Sequence, residues 1–100
     1  MAIIRRCLIV LFSLLSSAAL AVTMGDDGLH KTTWMRDTFK DLREDLADAN
    51  AEGKRLMLII EQRGCIYCAK MHQEIFPLPN IDAYIRENFF VVQLNMFGDV

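Results

Sequence analysis

Leu56-Met57-Leu58-Ile59-Ile60-Glu61-Gln62-Arg63-Gly64-Cys65-Ile66-Tyr67-Cys68-Ala69-Lys70-Met71 is the stretch on which the reading of this chain turns. It opens with a continuous apolar run, Leu56 to Ile60, too short for a helix. A run without alternation describes a strand covered on both faces. Glu61-Gln62-Arg63-Gly64 ends it. Ala69 to Phe76 then has helical character, with Met71, Ile75 and Phe76 apolar. Cys65 and Cys68 therefore stand where a buried strand gives way to a helix.

Downstream, Pro77 and Pro79 break that helix. Asn80 can cap a short helix with Ile81, Tyr84 and Ile85 on one face. Phe89-Phe90-Val91-Val92-Gln93-Leu94 is aromatic and β-branched, a second buried strand. Upstream, Met35, Phe39, Leu42, Leu46 and Ala49 recur at helical spacing. That pattern predicts a helix capped by Thr32 or Thr33 and stopped by Gly53. Its other face carries Arg36, Asp37, Lys40, Asp41, Arg43, Glu44, Asp45 and Asp48, and reads as solvated. The order is helix, strand, helix, helix, strand. A strand–helix–strand connection of this length predicts a parallel strand pair with a right-handed crossover, and the class is α/β.

The chain has 100 residues, 53% of them hydrophobic, which allows one domain at most. The apolar residues are unevenly spread. Residues 1–21 hold 16 of them, whereas the remaining 79 hold 37, about 47%, an ordinary globular share. Residues 1–21 read as a secretory signal peptide. Arg5 and Arg6 form its positive start, Cys7 to Leu15 its apolar centre, and Ala19-Leu20-Ala21 an A-x-A cleavage site. The competing reading is an uncleaved anchor, since residues 3–22 reach the ~20 needed to span a bilayer. Such a leader suits a bacterium and directs the product to the periplasm. Residues 22–31 are polar and glycine-containing and are expected to be flexible, leaving 32–100 for the folded part. Without the leader the charge is 9 basic against 13 acidic residues, which argues against nucleic-acid binding. Two parallel strands want neighbours, and 79 residues is near the size at which one core is marginal. The sequence is therefore expected to be truncated at its C-terminus.

Loss of the leader takes Cys7 with it, so both remaining cysteines lie in Cys65-x-x-Cys68. Exported proteins live where disulfides persist. A bridge closing so short a loop restricts the unfolded chain little, so its purpose is chemistry rather than stability. At a helix N-terminus, free N–H groups and the helix dipole favour a thiolate. Cys65, nearest that terminus and expected to be exposed, is the nucleophile. Cys68, one turn in and expected to be buried, is the resolving thiol. Arg63 and Lys70 are candidate cationic neighbours, with solvated charge as the plainer reading.

Cys-x-x-Cys also occurs in zinc sites and as an inert pair, although the strand-before, helix-after context is that of a redox motif. The competing function is a non-enzymatic metal-binding module using Cys65, Cys68 and His72, with His30 as a fourth ligand. Met71 and Met96 have the softness copper(I) prefers, but methionines on helices or strands more often belong to the core. Alone, His72 reads as a surface residue of its helix.

Gly53-Lys54-Arg55, the quoted stretch and the segment from Trp34 through Asp99 resemble the thioredoxin-like superfamily. The resemblance is closest to exported thioredoxin-like proteins of bacteria, including those linked to sulfur oxidation. It implies a partial thioredoxin-like fold preceded by a signal-peptide helix. It also implies a thiol–disulfide oxidoreductase with Cys65 as nucleophile and Cys68 as resolving cysteine. No organic cofactor is implied, because the redox pair is in the protein. The implied partners are protein thiols and disulfides, with a membrane electron donor or acceptor. The chain departs from the family in several places. Ile66-Tyr67 replaces Gly-Pro, with Tyr67 shared with the Pro-Tyr of glutaredoxins. Gly64 stands where a tryptophan is usual, and Ile59 stands at the buried aspartate position. The resemblance then implies Glu61, the nearest carboxylate at the strand end, as the group that moves protons to and from Cys68, with a solvated strand-end charge as the plainer reading. Pro77 and Pro79 come too early to be the family's cis-proline, so the resemblance covers the N-terminal half to two-thirds of the fold.

The leader yields a direct test. N-terminal sequencing of the exported product should read Val22 first, whereas a product that still begins at Met1 identifies an anchor.

Overall fold

The computed structural model describes residues 23–98. The predicted leader, 1–21, lies outside the described residues.

The described chain begins with a hairpin. Strand β1 (Thr23–Met24) pairs antiparallel with β2 (His30–Lys31). The stretch expected to be flexible thus pairs with itself, and Leu29 in it is fully buried. After the hairpin come α1 (Leu42–Ala51), β3 (Arg55–Glu61), α2 (Ile66–Lys70) and a π-helical turn over Met71–Ile75. Helix α3 (Pro79–Asn88) and β4 (Phe89–Asn95) complete the order. β3 and β4 pair in parallel, from Arg55 opposite Phe89 to Glu61 opposite Asn95. The α/β class and the parallel pair are as the sequence predicts.

The first helix is shorter than its periodicity predicts. It starts at Leu42, not at Thr32 or Thr33, because Asp41 caps it: the side chain accepts from the Arg43 and Glu44 N–H groups. Aspartate is at least as good a cap as threonine. The residues before it are drawn elsewhere. Met35 bridges Val91 in parallel, and the Arg36 N–H donates to the Val91 carbonyl at 2.8 Å. Residues 35 and 36 therefore flank β4 on the side away from β3. Trp34 is pulled into the core, and Phe39, assigned to the apolar face, is 99% exposed. Asp45, assigned to the solvated face, is buried and accepts from the Thr38 hydroxyl at 3.1 Å. Gly53 does end the helix. At φ 68° it is left-handed, with Gly53 N–H on the Asn50 carbonyl and Lys54 N–H on the Ala49 carbonyl. That pair of bonds is a Schellman stop.

β4 is covered on both faces, because alternate side chains enter different clusters. Val91 packs with Trp34 and Ile85, against which Met35, Met57, Ile59, Phe76, Ile81 and Phe89 are laid. Phe90 and Val92 pack with Ala49 of α1, beside Leu56 and Leu94. β3 is covered less completely than expected. Met57 and Ile59 join the first cluster, but Leu58 and Ile60 stay exposed on the other face. Helix α3 begins one residue ahead of the expected Asn80 cap, with Pro79 in its first turn, where a missing N–H costs nothing. Among the described residues no helix is long and apolar enough to cross a membrane.

The Asp41 cap sets where α1 begins. Asp41→Ala should lower the unfolding free energy by about 1 kcal/mol in denaturant titration while leaving the fold intact.

Candidate redox site

The C-terminal end of β3 delivers the cysteines. The chain turns after Glu61, with the Cys65 N–H on the Gln62 carbonyl at 3.2 Å. Gly64 sits in that turn at φ 76°, with open space where a Cβ would lie. Backbone conformation, not crowding, therefore accounts for glycine at the position where the resemblance usually has a tryptophan. Cys65 is the N-cap of α2 and its Sγ accepts the Cys68 N–H at 3.1 Å. The two cysteines are joined by a disulfide, with Cα atoms 5.2 Å apart. The expected contrast between an exposed Cys65 and a buried Cys68 is absent, since both are half-buried. Position separates them instead: Cys65 Sγ holds the bond from a helix N–H. Ile66 and Tyr67, between them, face solvent.

Beneath the turn lies a buried polar cluster. Glu61 is not a solvated strand-end charge. It is 2% exposed, and His72, expected on the surface, is 1% exposed. His72 Nε2 meets Glu61 Oε1 at 2.8 Å. The other carboxylate oxygen, Oε2, accepts the His30 backbone N–H at 2.6 Å and lies 3.3 Å from His30 Nδ1. A carboxylate only accepts, so the proton on His72 is assigned to Nε2. The imidazole of His30 stacks on that of His72 with centroids 5.1 Å apart, and Phe76 meets His72 edge-on at 5.0 Å. His72 Nδ1 is buried with no hydrogen-bond partner. Burial holds the His72 pKa below the usual histidine range. Glu61 pulls against that, and His30 adds to the lowering.

The hairpin is pinned to this cluster by polar hooks. Lys31 Nζ donates to Gln93 Oε1 at 2.6 Å, and Gln93 Nε2 donates to the His30 carbonyl at 2.8 Å. Arg63, a candidate neighbour of the cysteines, instead donates to the Asp27 carbonyl of the hairpin through Nε and a terminal nitrogen. Burial works to raise the Asp27 carboxyl, but Lys31 at 2.9 Å and the Leu29 N–H outweigh it and hold it below its usual range. Lys70 is exposed on the last turn of α2.

The alternative ligand set does not assemble. Both cysteine sulfurs are in the disulfide, and His72 and His30 both turn to Glu61. Among the described residues no three His, Cys, Asp or Glu side chains are placed to hold a metal ion. Met71 and Met96 are exposed rather than in the core.

From the sequence, His72 and His30 were named only as alternative metal ligands, and their joint place around Glu61 was missed. His72 lies four residues after Cys68 and four before Phe76, a spacing that places all three on one side of the helical run. That signal was present. His30 carried none, because its partner is 31 residues away.

A disulfide at the end of a strand of a parallel pair, on the N-cap of the following helix, defines a dithiol–disulfide domain. Residues 42–100 match the family model of a thioredoxin-like domain, and the chain belongs to that family. No curated protein and no solved structure matches it. The hairpin, Trp34 and Met35 lie upstream of the family match.

His72 ties stability to pH. Its folded pKa lies below its unfolded value of about 6.5, so the unfolded chain takes up the proton first as pH falls. Its contribution is complete above that value and is lost below it. The melting temperature should fall from pH 7 to pH 5, and His72→Gln should flatten that slope.

Proposed function

We propose that this chain is an exported thiol–disulfide oxidoreductase that exchanges disulfides with protein partners through Cys65 and Cys68. The observation that carries the reading is the Cys65–Cys68 disulfide on the N-cap of α2, with Cys65 Sγ accepting the Cys68 N–H. The same bond stabilises negative charge on Cys65 when the pair is reduced.

In the reduced protein, the Cys65 thiolate attacks a substrate disulfide and releases one substrate thiol. Cys68 then loses its proton and attacks Cys65 Sγ. The Cys65–Cys68 bond forms as the mixed disulfide breaks, and the second substrate thiol leaves. The cysteine pair gives up two electrons and the substrate disulfide gains them. Run backwards, the same steps oxidise a substrate dithiol. Glu61, at the end of β3, supports proton exchange at Cys68 by way of the histidines it holds. The redox pair is in the chain, so the reading calls for no organic cofactor. It calls instead for a second thiol couple, such as a membrane electron donor or acceptor, to reset the pair. Export to the periplasm is read from residues 1–21. The exposed Ile66 and Tyr67 give the protein partner an apolar surface beside the disulfide.

Cys65→Ser should abolish disulfide exchange. Cys68→Ser should still attack but fail to release, so mixed disulfides should accumulate on non-reducing gels and vanish with reductant. Alkylation of the reduced protein near neutral pH should modify Cys65 first, and the opposite order reverses the two roles.

A further inference from the structure

We propose that His72, through Nδ1, carries the proton of the Cys68 thiol when the mixed disulfide is resolved, and that Glu61 and His30 are positioning residues that hold its ring. The proposal rests on the dithiol–disulfide reading above and assigns the proton step within it.

Glu61 is engaged on both oxygens. Oε1 meets His72 Nε2, and Oε2 meets the backbone N–H and ring of His30. The open valence of the cluster is His72 Nδ1, buried and without a partner. A buried nitrogen left unpaired carries a desolvation cost, and such an exception calls for an explanation. The redox state supplies one. The structure holds the disulfide, whose sulfurs have no proton to give. The reduced Cys68 has an S–H to offer an acceptor.

Placement agrees. Cys68 and His72 are four residues apart in one helical run, Ile66–Ile75, and so share a side of it. The run changes from α to π geometry at Met71, with the Phe76 N–H on the Met71 carbonyl at 2.9 Å. π turns are frequent at functional sites. The titratable groups against the ring are Glu61 from β3 and His30 from β2. The nearby Lys31 ammonium is committed to Asp27 and Gln93. Because burial favours the neutral imidazole, Nδ1 is a free base at neutral pH.

The step balances. In the mixed disulfide, the Cys68 proton passes to Nδ1 as its sulfur attacks Cys65 Sγ. The Cys65–substrate bond breaks, the Cys65–Cys68 bond forms, and the departing substrate thiolate takes the proton from the imidazolium.

The reduced protein is mixed with dithio-bis-nitrobenzoate, an aromatic disulfide with a coloured thiolate. The first equivalent of colour reports attack by Cys65 and the second reports resolution by Cys68. With His72→Gln, the first phase should be unchanged. The second should slow by about thirtyfold near pH 7, where a thiol of pKa ~8.5 is only about 3% ionised without help. The deficit should close above about pH 9.5, where a thiol of pKa ~8.5 ionises unaided. His30→Gln leaves the proton-carrying ring in place and should slow the second phase several-fold with the same pH dependence. An equal slowing of both phases, or a deficit that persists at high pH, marks His72 as structural and overturns the proposal. If His72→Gln does not fold, an unchanged second phase in His30→Gln overturns it as well. A wild-type chain that releases no second equivalent refutes the dithiol–disulfide reading itself.

Discussion

The Glu61 carboxylate is the constraint on which the rest of this structure hangs. It closes β3, sits at the base of the turn that presents Cys65, and is almost completely out of water. A charge in such a place is tolerable only if it is paired and hydrogen-bonded. Removing one partner from a buried pair typically costs about 3–5 kcal/mol. Here the partners come from two elements: the π turn through His72, and the hairpin through both the backbone and the ring of His30. One side chain therefore obliges a strand, a helix and a distant hairpin to meet. The cysteines gain a fixed floor from that meeting, because the turn carrying them starts at the same residue.

Two packing layers make the meeting possible. β4 is sandwiched, with Val91 facing Trp34 and Ile85 while Phe90 and Val92 face Ala49. Trp34, Phe76 and His72 form a chain of edge-on aromatic contacts from that core up to the polar cluster. Such contacts have preferred angles as well as area. The orientation of the His72 ring is thus set by Phe76 packing edge-on and by Glu61 at Nε2.

What could be read from sequence was what local pattern controls. The apolar run of β3, the aromatic and β-branched run of β4, and the placement of Cys-x-x-Cys between strand and helix all depend on neighbours a few residues apart. The Gly53 stop was legible for the same reason. The start of α1 was not. Periodicity runs on through Met35 and Phe39, but Val91 captures Met35 as a strand partner, and Asp41 offers a cap where the chain becomes free again. The site divides the same way. The cysteines announce themselves by spacing. Glu61 and His72 were noticed but given the wrong environment, because burial of a polar residue depends on who comes to meet it. For His72 and Glu61 that visitor is His30, in a segment whose composition reads as a loose leader to the domain.

The hairpin also has a consequence for the order in which the molecule can assemble. Its anchors are remote in the chain: His30 bonds Glu61 31 residues on, and Lys31 bonds Gln93 62 residues on. A polypeptide that emerges N-terminus first holds the hairpin ready long before its receptors exist. Contacts so distant in sequence carry a loop-closure cost that must be met before they repay it. The Lys31 hook needs β4 in place, so full docking of the hairpin follows the β3–β4 pairing. Until it occurs the chain can already form its disulfide, and only afterwards is the polar floor beneath that disulfide complete.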